Sequence, residues 1–258
     1  MIKVLQYRHS LLLSLLLSIP CFTFSQSTDS TKVVSNFGGA VTVTNNGISF
    51  IPTFSLGKPA AIFDMSVGRK LSFEPQFRFA LEGKPWSFIF WWRYKLVKTS
   101  KVAVTVGAHP AIIFRTITDT INGGSQEIIR VQRNVAVELS PNYFLTKNIS
   151  IGMYYLYGYS FEKDVIKNVH YLTLNTSFSN IPLPYQFYMK FTPQVYYLKM
   201  DEQDGFYFSS VLTLANRKIP LSVSTLMNKI IHTNITASQN FVWNVSLIYA
   251  FNNKYVEQ

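Results

Sequence analysis

Between Phe241 and Phe251 the chain alternates: Phe241, Trp243, Val245, Leu247, Tyr249 and Phe251 fall on one face of an extended strand, while Asn244, Ser246 and Ala250 fall on the other. A strand with one oily face must cover that face with a core or with lipid. Its length suits a strand crossing a bilayer at a tilt, which takes about ten residues. Similar segments recur upstream, so the constraint governs most of the chain.

Composition narrows the choice between core and lipid. The 258 residues are 48% hydrophobic and 16% aromatic but only 14% charged, whereas soluble domains carry about 25% charged residues. Beyond the N-terminus no uninterrupted apolar run approaches the roughly 18 residues that a membrane-spanning helix needs. A closed barrel is the other membrane solution, because it satisfies every backbone group without an exposed edge.

The N-terminus carries Lys3 and Arg8, then the apolar run from Leu11 to Ile19, then Thr23-Phe24-Ser25 before Gln26. These are the three parts of a secretory signal peptide, with cleavage expected after Ser25. Lipidation at Cys21 is disfavoured because Pro20 stands where a small residue is expected. Cleavage removes the single cysteine, and with it disulfide and thiol chemistry. It also lowers the net charge from +11 to +9 by removing Lys3 and Arg8. The remaining basic residues form no Lys/Arg block interleaved with stacking aromatics, so a nucleic-acid partner is not indicated.

Residues 26–46 read as a polar leader, in which 38–44 forms a plug, a periplasmic arm or an extra pairing strand. The barrel is expected over 47–251 and a tail over 252–258. Extended segments are expected at 48–56, 59–68, 70–80, 86–97, 102–116, 128–144, 149–160, 167–178, 185–199, 206–215, 219–229 and 241–251, about twelve strands with no convincing helical period. The segment Leu71 to Ala80 is the clearest: Leu71, Phe73, Phe77 and Phe79 share one face, and Ser72, Glu74, Gln76 and Arg78 share the other. A sandwich would give the same alternation, but sandwich strands average about five or six residues, and these are mostly longer.

Barrels of this kind have an even strand count, short turns at one end and longer loops at the other. Counting back from the last strand puts Arg69, Lys98, Lys101, Lys147, Arg217 and Lys218 at the inner end. Glu82, Glu127, Glu162, Asp164, Asp201, Glu202 and Asp204 fall at the outer end, and Lys84, Lys163 and Lys229 break the pattern. Basic side chains beside a membrane can snorkel toward headgroups, which accounts for much of the positive charge.

With its signal peptide, serial alternating strands and aromatic final strand, the chain resembles the outer-membrane β-barrel proteins of Gram-negative bacteria over roughly residues 47 to 251. That resemblance implies an all-β antiparallel transmembrane barrel in the cell outer membrane, surrounded by outer-membrane lipid and inserted by the barrel-assembly machinery. Seven residues, Asn252 to Gln258, follow Phe251, so the chain departs from the usual aromatic terminus of the family.

Alternation puts Asp64, Glu74, Gln76, Arg78, Arg93, Lys95, His109, Arg130, Gln132, Glu138, Tyr188, Lys190, Gln194 and Asn244 on the lumen side. Such a set can line a water-filled path for small polar solutes, its basic members favouring anions, or its members can pair across the lumen and seal it. Barrels of eight strands are filled by side chains and those of 16 or more hold open channels, so about twelve strands lies between. The expected function is therefore a passive channel or binding barrel, with a non-conducting barrel that presents the loops 117–127 and 230–240 as the alternative. A lipid-directed hydrolase is less well supported, since His109, His170 and His232 occur in no nucleophile or metal motif. No catalytic residue, metal site or cofactor is assigned. Asp201 to Gly205 lacks the full spacing of a calcium loop and reads as a solvated acidic turn. The Asn-x-Ser/Thr triplets at Asn148, Asn175, Asn234 and Asn244 read as coincidental. Phe88-Ile-Phe-Trp-Trp92 suggests an aromatic girdle.

Overall fold

A computed structural model describes residues 34–51, 54–121, 124–236 and 238–256. The expected signal peptide and residues 26–33 of the leader lie outside the described residues. Twelve antiparallel strands run in chain order: β1 (Val34–Thr44), β2 (Ala60–Gly68), β3 (Leu71–Ala80), β4 (Pro85–Lys98), β5 (Val102–Ile121) and β6 (Gly124–Phe144), then β7 (Ile149–Ser160), β8 (Asn168–Pro182), β9 (Phe187–Met200), β10 (Gln203–Asn216), β11 (Leu221–Thr233) and β12 (Phe241–Val256). Each pairs with its sequence neighbours, and β12 pairs with β1 to close the ring.

The expected number of strands holds, but the first of them is a different segment. Residues 48–51 and 54–56 do not form a strand, and β1 is 34–44, which takes in the stretch 38–44 expected as plug, arm or strand. The reason lies in the side chains. In β1 small residues suit a tight ladder, whereas Phe50 and Ile51 find cover on the apolar cluster that includes Tyr171 and Tyr196. The segment instead turns into the barrel mouth. The barrel boundary moves accordingly from 47 to 34, and the expected tail is largely strand, since Gly38 pairs with Asn252 and Val34 with Val256.

Two further expected loops are ladder in part. Residues 117–121 and 124–127 continue β5 and β6 through the pairs Ile117↔Ile128 to Ile121↔Gly124. Lateral pairing to β4 ends at Ser87↔Ile113 and to β7 at Asn134↔Ser160. The β5–β6 hairpin therefore stands above its neighbours, braced by Lys84 to Glu127 at 3.0 Å and Arg133 to Glu162 at 2.7 Å. β11 likewise runs to Thr233, so His232 sits on a strand end rather than in a loop.

Both termini of the ring and the connections 69–70, 99–101, 145–148, 183–186 and 217–220 lie at one end, which is the short-turn end. The other end carries the long connection 45–59, the loops 161–167 and 234–240, and the hairpin.

Closure depends on close approach at Gly39. A Cβ there would lie 2.9 Å from the Phe251 ring and closer still to the Asp64 carbonyl oxygen. Gly39→Val should therefore destabilise the reconstituted barrel by about 1–3 kcal/mol, read as a lower urea midpoint. Val43→Leu, at an outward position 43% exposed, should leave the midpoint unchanged.

Candidate functional site in the lumen

Strand alternation sorts the side chains into two environments. Outward residues such as Phe63, Met65, Val137, Leu174, Val223 and Leu247 form an exposed apolar band. Outward aromatics ring both ends of it: Tyr94, Tyr143 and Tyr249 toward the short turns, and Tyr159, Phe206, Phe241 and Trp243 toward the long loops. This is the surface of a lipid-embedded barrel. The expected girdle in 88–92 is split by the same alternation, with Trp92 outward and 50% exposed and Trp91 in the lumen against His109.

The inward face carries the polar network. Arg93, on β4, donates from Nε to Glu138 Oε1 at 2.6 Å and from Nη1 to Glu74 Oε2 at 2.5 Å. Glu138, on β6, also accepts from Tyr154 OH at 2.6 Å, and Glu74 accepts from Ser72 Oγ at 2.7 Å. The Arg93 guanidinium lies 4.1 Å from the Trp91 ring centroid. One guanidinium thus bridges two carboxylates from β3 and β6, on either side of its own strand. Beside it Gln76 donates to Asp64, and Arg78 lies over Trp86 at 5.0 Å. A closed antiparallel ring with lipid-compatible walls and charges confined to its interior and its two ends is a membrane solution, not a sandwich. The chain is an outer-membrane β-barrel.

In this barrel the short-turn end is periplasmic and the long-loop end faces outward. Arg69, Lys98, Lys101, Lys147, Arg217 and Lys218 lie at the periplasmic end, and the acidic loop residues lie at the outer end, as their sequence positions indicate.

The lumen has two unlike halves. The outer half is packed by an apolar cluster of Val169, Tyr171, Tyr196, Leu198, Met200, Tyr207 and Ile235, onto which Phe50 and Ile51 of the 45–59 connection fold. Phe50 stacks on Tyr171 with ring centroids 5.9 Å apart and meets Tyr196 edge-on at 6.3 Å. The connection is pinned by Trp86 Nε1 donating to the Phe54 carbonyl at 2.8 Å, and by Leu56 N and Lys58 O bonding to Gly47 at 2.8 Å each. Asn244 anchors its start by donating to the Asn46 carbonyl at 3.1 Å. Below this seat lies a polar cup of about 610 Å³, lined by Asp64, Glu74, Gln76, Arg78, Arg93 and Gln194 among others.

The other expected lumen residues take separate places. His109 is 9% exposed and packs on Trp91 with ring centroids 3.9 Å apart. Lys95 belongs to the periplasmic rim, where its Nζ donates to the Arg69 carbonyl at 2.8 Å. Tyr188 is also near that rim, beneath Arg217 at 5.1 Å, and Lys190 is exposed on β9. Gln132 is buried at the hairpin base, whereas Arg130 is exposed on the projecting hairpin, above the cup rather than in it. His170 bonds Tyr155 OH at 2.9 Å. The lumen aromatics Phe50, Trp86, Trp91, Tyr154 and Tyr171 escaped sequence reasoning, because an apolar side chain on a membrane strand reads as lipid-facing. Counting in twos from Arg93 would have found Trp91.

The acidic turn after β9 is occupied by internal bonds. The Asp201 carboxylate accepts from Lys167 N and Asn168 N at 2.8 Å each and from Asn168 Nδ2 at 3.2 Å. Asp204 accepts from Tyr197 OH at 2.9 Å. Among the described residues no cluster of three His, Cys, Asp or Glu side chains could hold a metal. Partial burial pushes the Asp201 carboxyl up, but its donors outweigh this and hold it below its ordinary range.

No family model and no curated protein matches the chain. Among solved structures it is similar to a KdgM porin in complex with disordered oligogalacturonate, at 10% identity and TM-score 0.49, covering 84% of this chain and 99% of that one. It is also similar to the NanC porin, at 11% and 0.46, covering 88% and 100%. A third is LpxR from Salmonella typhimurium, at 10% and 0.47, covering 82% and 99%. Likenesses this distant bear on no lumen residue of this barrel.

Two outcomes follow from these contacts. Arg93→Met leaves Glu74 and Glu138 facing each other without their cation. It should cost about 3 kcal/mol in urea unfolding, the low end for a broken buried pair because lumen water reaches the site. The Arg93→Met/Glu138→Leu double variant should recover part of that loss. For Asp201, a depressed folded pKa means that its contribution is present above the unfolded value of about 3.9 and lost as pH falls through the folded one. Hydrogen-exchange protection of the Lys167 and Asn168 amides should hold at pH 7 and fall below about pH 4, and Asp201→Ala should remove it at both.

Proposed function

We propose that this barrel binds small polar solutes in its periplasm-facing cup and passes them only when the 45–59 connection leaves the outer mouth. The observation that carries the reading is the seat of Phe50 on Tyr171 and Tyr196, directly above a polar cup of about 610 Å³. Barrel walls alone would leave a lumen of this strand number partly open, and the inward connection fills its outer half. The cup keeps the charges that sort solutes: Glu74, Arg93 and Glu138 fix the interior field, and Lys95, Lys98 and Lys147 ring a groove at the periplasmic rim that favours anions.

Planar-bilayer recording tests this reading. The full barrel should show little steady conductance, and replacing residues 48–56 by a short Gly-Ser linker should produce a steady open level. Arg93→Ala in that opened variant should shift its anion-to-cation selectivity toward cations. Equal steady conductance with and without the connection would refute the occluded state.

A second reading is favoured by the β5–β6 hairpin, which pairs with neither neighbour above Ile113 and Asn134. A hairpin that rises past its flanking strands, braced near its base by Lys84 and Glu162, presents its upper part to a surface partner. Shortening it across 115–132 with an Asn-Gly turn should abolish surface contacts and leave barrel folding intact.

A further inference from the structure

The two halves of the lumen meet at one residue whose situation differs from that of Arg93, the other cation of the cup. Above the polar cup lies a second cavity of about 210 Å³, walled by side chains such as Ile51, Ile89, Ala111, Ala136, Leu156 and Val169. Arg78, Phe50, Trp91, Tyr154 and Tyr171 line both cavities, so the apolar chamber and the polar cup share a septum. Arg93 is spent on two carboxylates. Arg78 is different: among the described residues no carboxylate stands within ion-pair distance of it, and its Nε is buried without a hydrogen-bond partner. Its close contact is the face of Trp86, and the Asp64 carboxylate in the same cup acts on it only from beyond ion-pair distance.

A guanidinium left unpaired at the junction of an apolar chamber and a polar cup has a definite complement. We infer that the lumen binds a small amphipathic anion, its carboxylate on Arg78 and its apolar body, an aromatic ring or a short acyl chain, in the chamber beneath the 45–59 connection. The inference rests on the proposed binding role and names its ligand class. A purely polar solute would leave the upper chamber dry and unfilled, and a neutral apolar one would leave Arg78 unsatisfied. The planar fork of arginine matches a carboxylate by two parallel hydrogen bonds. The lysines of the periplasmic rim draw anions toward the cup. The upper chamber is smaller than a typical drug-sized pocket of about 300–1,000 Å³, which limits the apolar part to roughly one ring.

Calorimetric titration of the full-length barrel in lipid nanodiscs, with empty nanodiscs as blank, tests the inference using three probes. They are 3-phenylpropionate, acetate as the head without the body, and 3-phenylpropanol as the body without the charge. Phenylpropionate should bind at one saturable site, and the two partial probes should bind at least about tenfold more weakly, the scale of a lost charge-assisted hydrogen bond. Arg78→Gln should weaken phenylpropionate by a similar factor, with Arg78→Lys intermediate. Ala136→Phe, which fills the chamber, should reduce phenylpropionate to the level of acetate. Heat-modifiable migration on gels checks folding, and if Arg78→Gln does not fold, Arg78→Lys and Ala136→Phe decide. Acetate binding as tightly as phenylpropionate would overturn the amphiphile while leaving the polar-solute reading intact. Unchanged binding in the folded variants, or no binding of any probe, overturns it as well. A conductance that appears on removing 48–56 would then still uphold the occluded passage, which separates the two failures.

Discussion

The ladder between β1 and β12 is the constraint on which the rest depends. A strand in lipid has no water to satisfy its N–H and C=O groups, and an open edge would leave a row of them exposed at a cost of several kcal/mol each. Pairing Val34 to Thr44 with Val256 to Ser246 removes both edges at once. Closure then fixes which face of every strand sees lipid, because a slip of one residue would turn the charged row outward. Glu74 and Arg93 meet inside the barrel because β3 and β4 are neighbours, and Arg93 reaches Glu138 on β6 across Gly107 of the intervening β5, where a Cβ would lie 2.7 Å from the Glu138 carboxylate.

A ring of twelve strands encloses more space than strand side chains fill, and the chain treats the two halves differently. Toward the outside it spends bulk: four aromatic rings and the 45–59 connection make a packed seat. Toward the periplasm it keeps short and polar groups such as Ser66, Thr173 and Asn175, leaving the cup. The stacked pair Tyr196 and Tyr207 shows how polar tips are accommodated in the apolar half, with ring centroids 4.8 Å apart and hydroxyls turned to Asn228 and Thr233 at 2.8 Å each. The polar ladder and the apolar seat therefore serve distinct purposes, one setting a field and the other closing a path.

Much of this was legible in residue alternation. Leu71 to Ala80 and Phe241 to Phe251 declare their lipid and lumen faces outright, and the parity of Glu74, Gln76, Arg78 and Arg93 placed them in the cup. The same rule failed where a strand lacks contrast. Gly38-Gly39-Ala40 carries almost no side-chain bulk, so β1 gave no oily face to read although its backbone closes the ring. Met153-Tyr154-Tyr155-Leu156-Tyr157 is apolar or aromatic on both faces, which hid Tyr154 as a partner of Glu138. Ile117 to Thr120 looked polar enough for a loop, yet β-branched residues in alternation are good ladder formers away from the bilayer too. Phe50 and Ile51 resembled a strand by hydrophobicity alone, and only the shape of the mouth decides that they turn inward.

Amide hydrogen exchange across the 45–59 connection of the folded, reconstituted barrel bears most directly on the occluded lumen. Gly47, Ser49 and Leu56 each donate a backbone N–H at 2.8 Å to an internal acceptor, so their amides should be protected to nearly the degree of the adjoining strands. Exchange of all three at the rate of an unstructured peptide would show that the connection does not rest in the mouth, and the closed outer half of the barrel would fall with it.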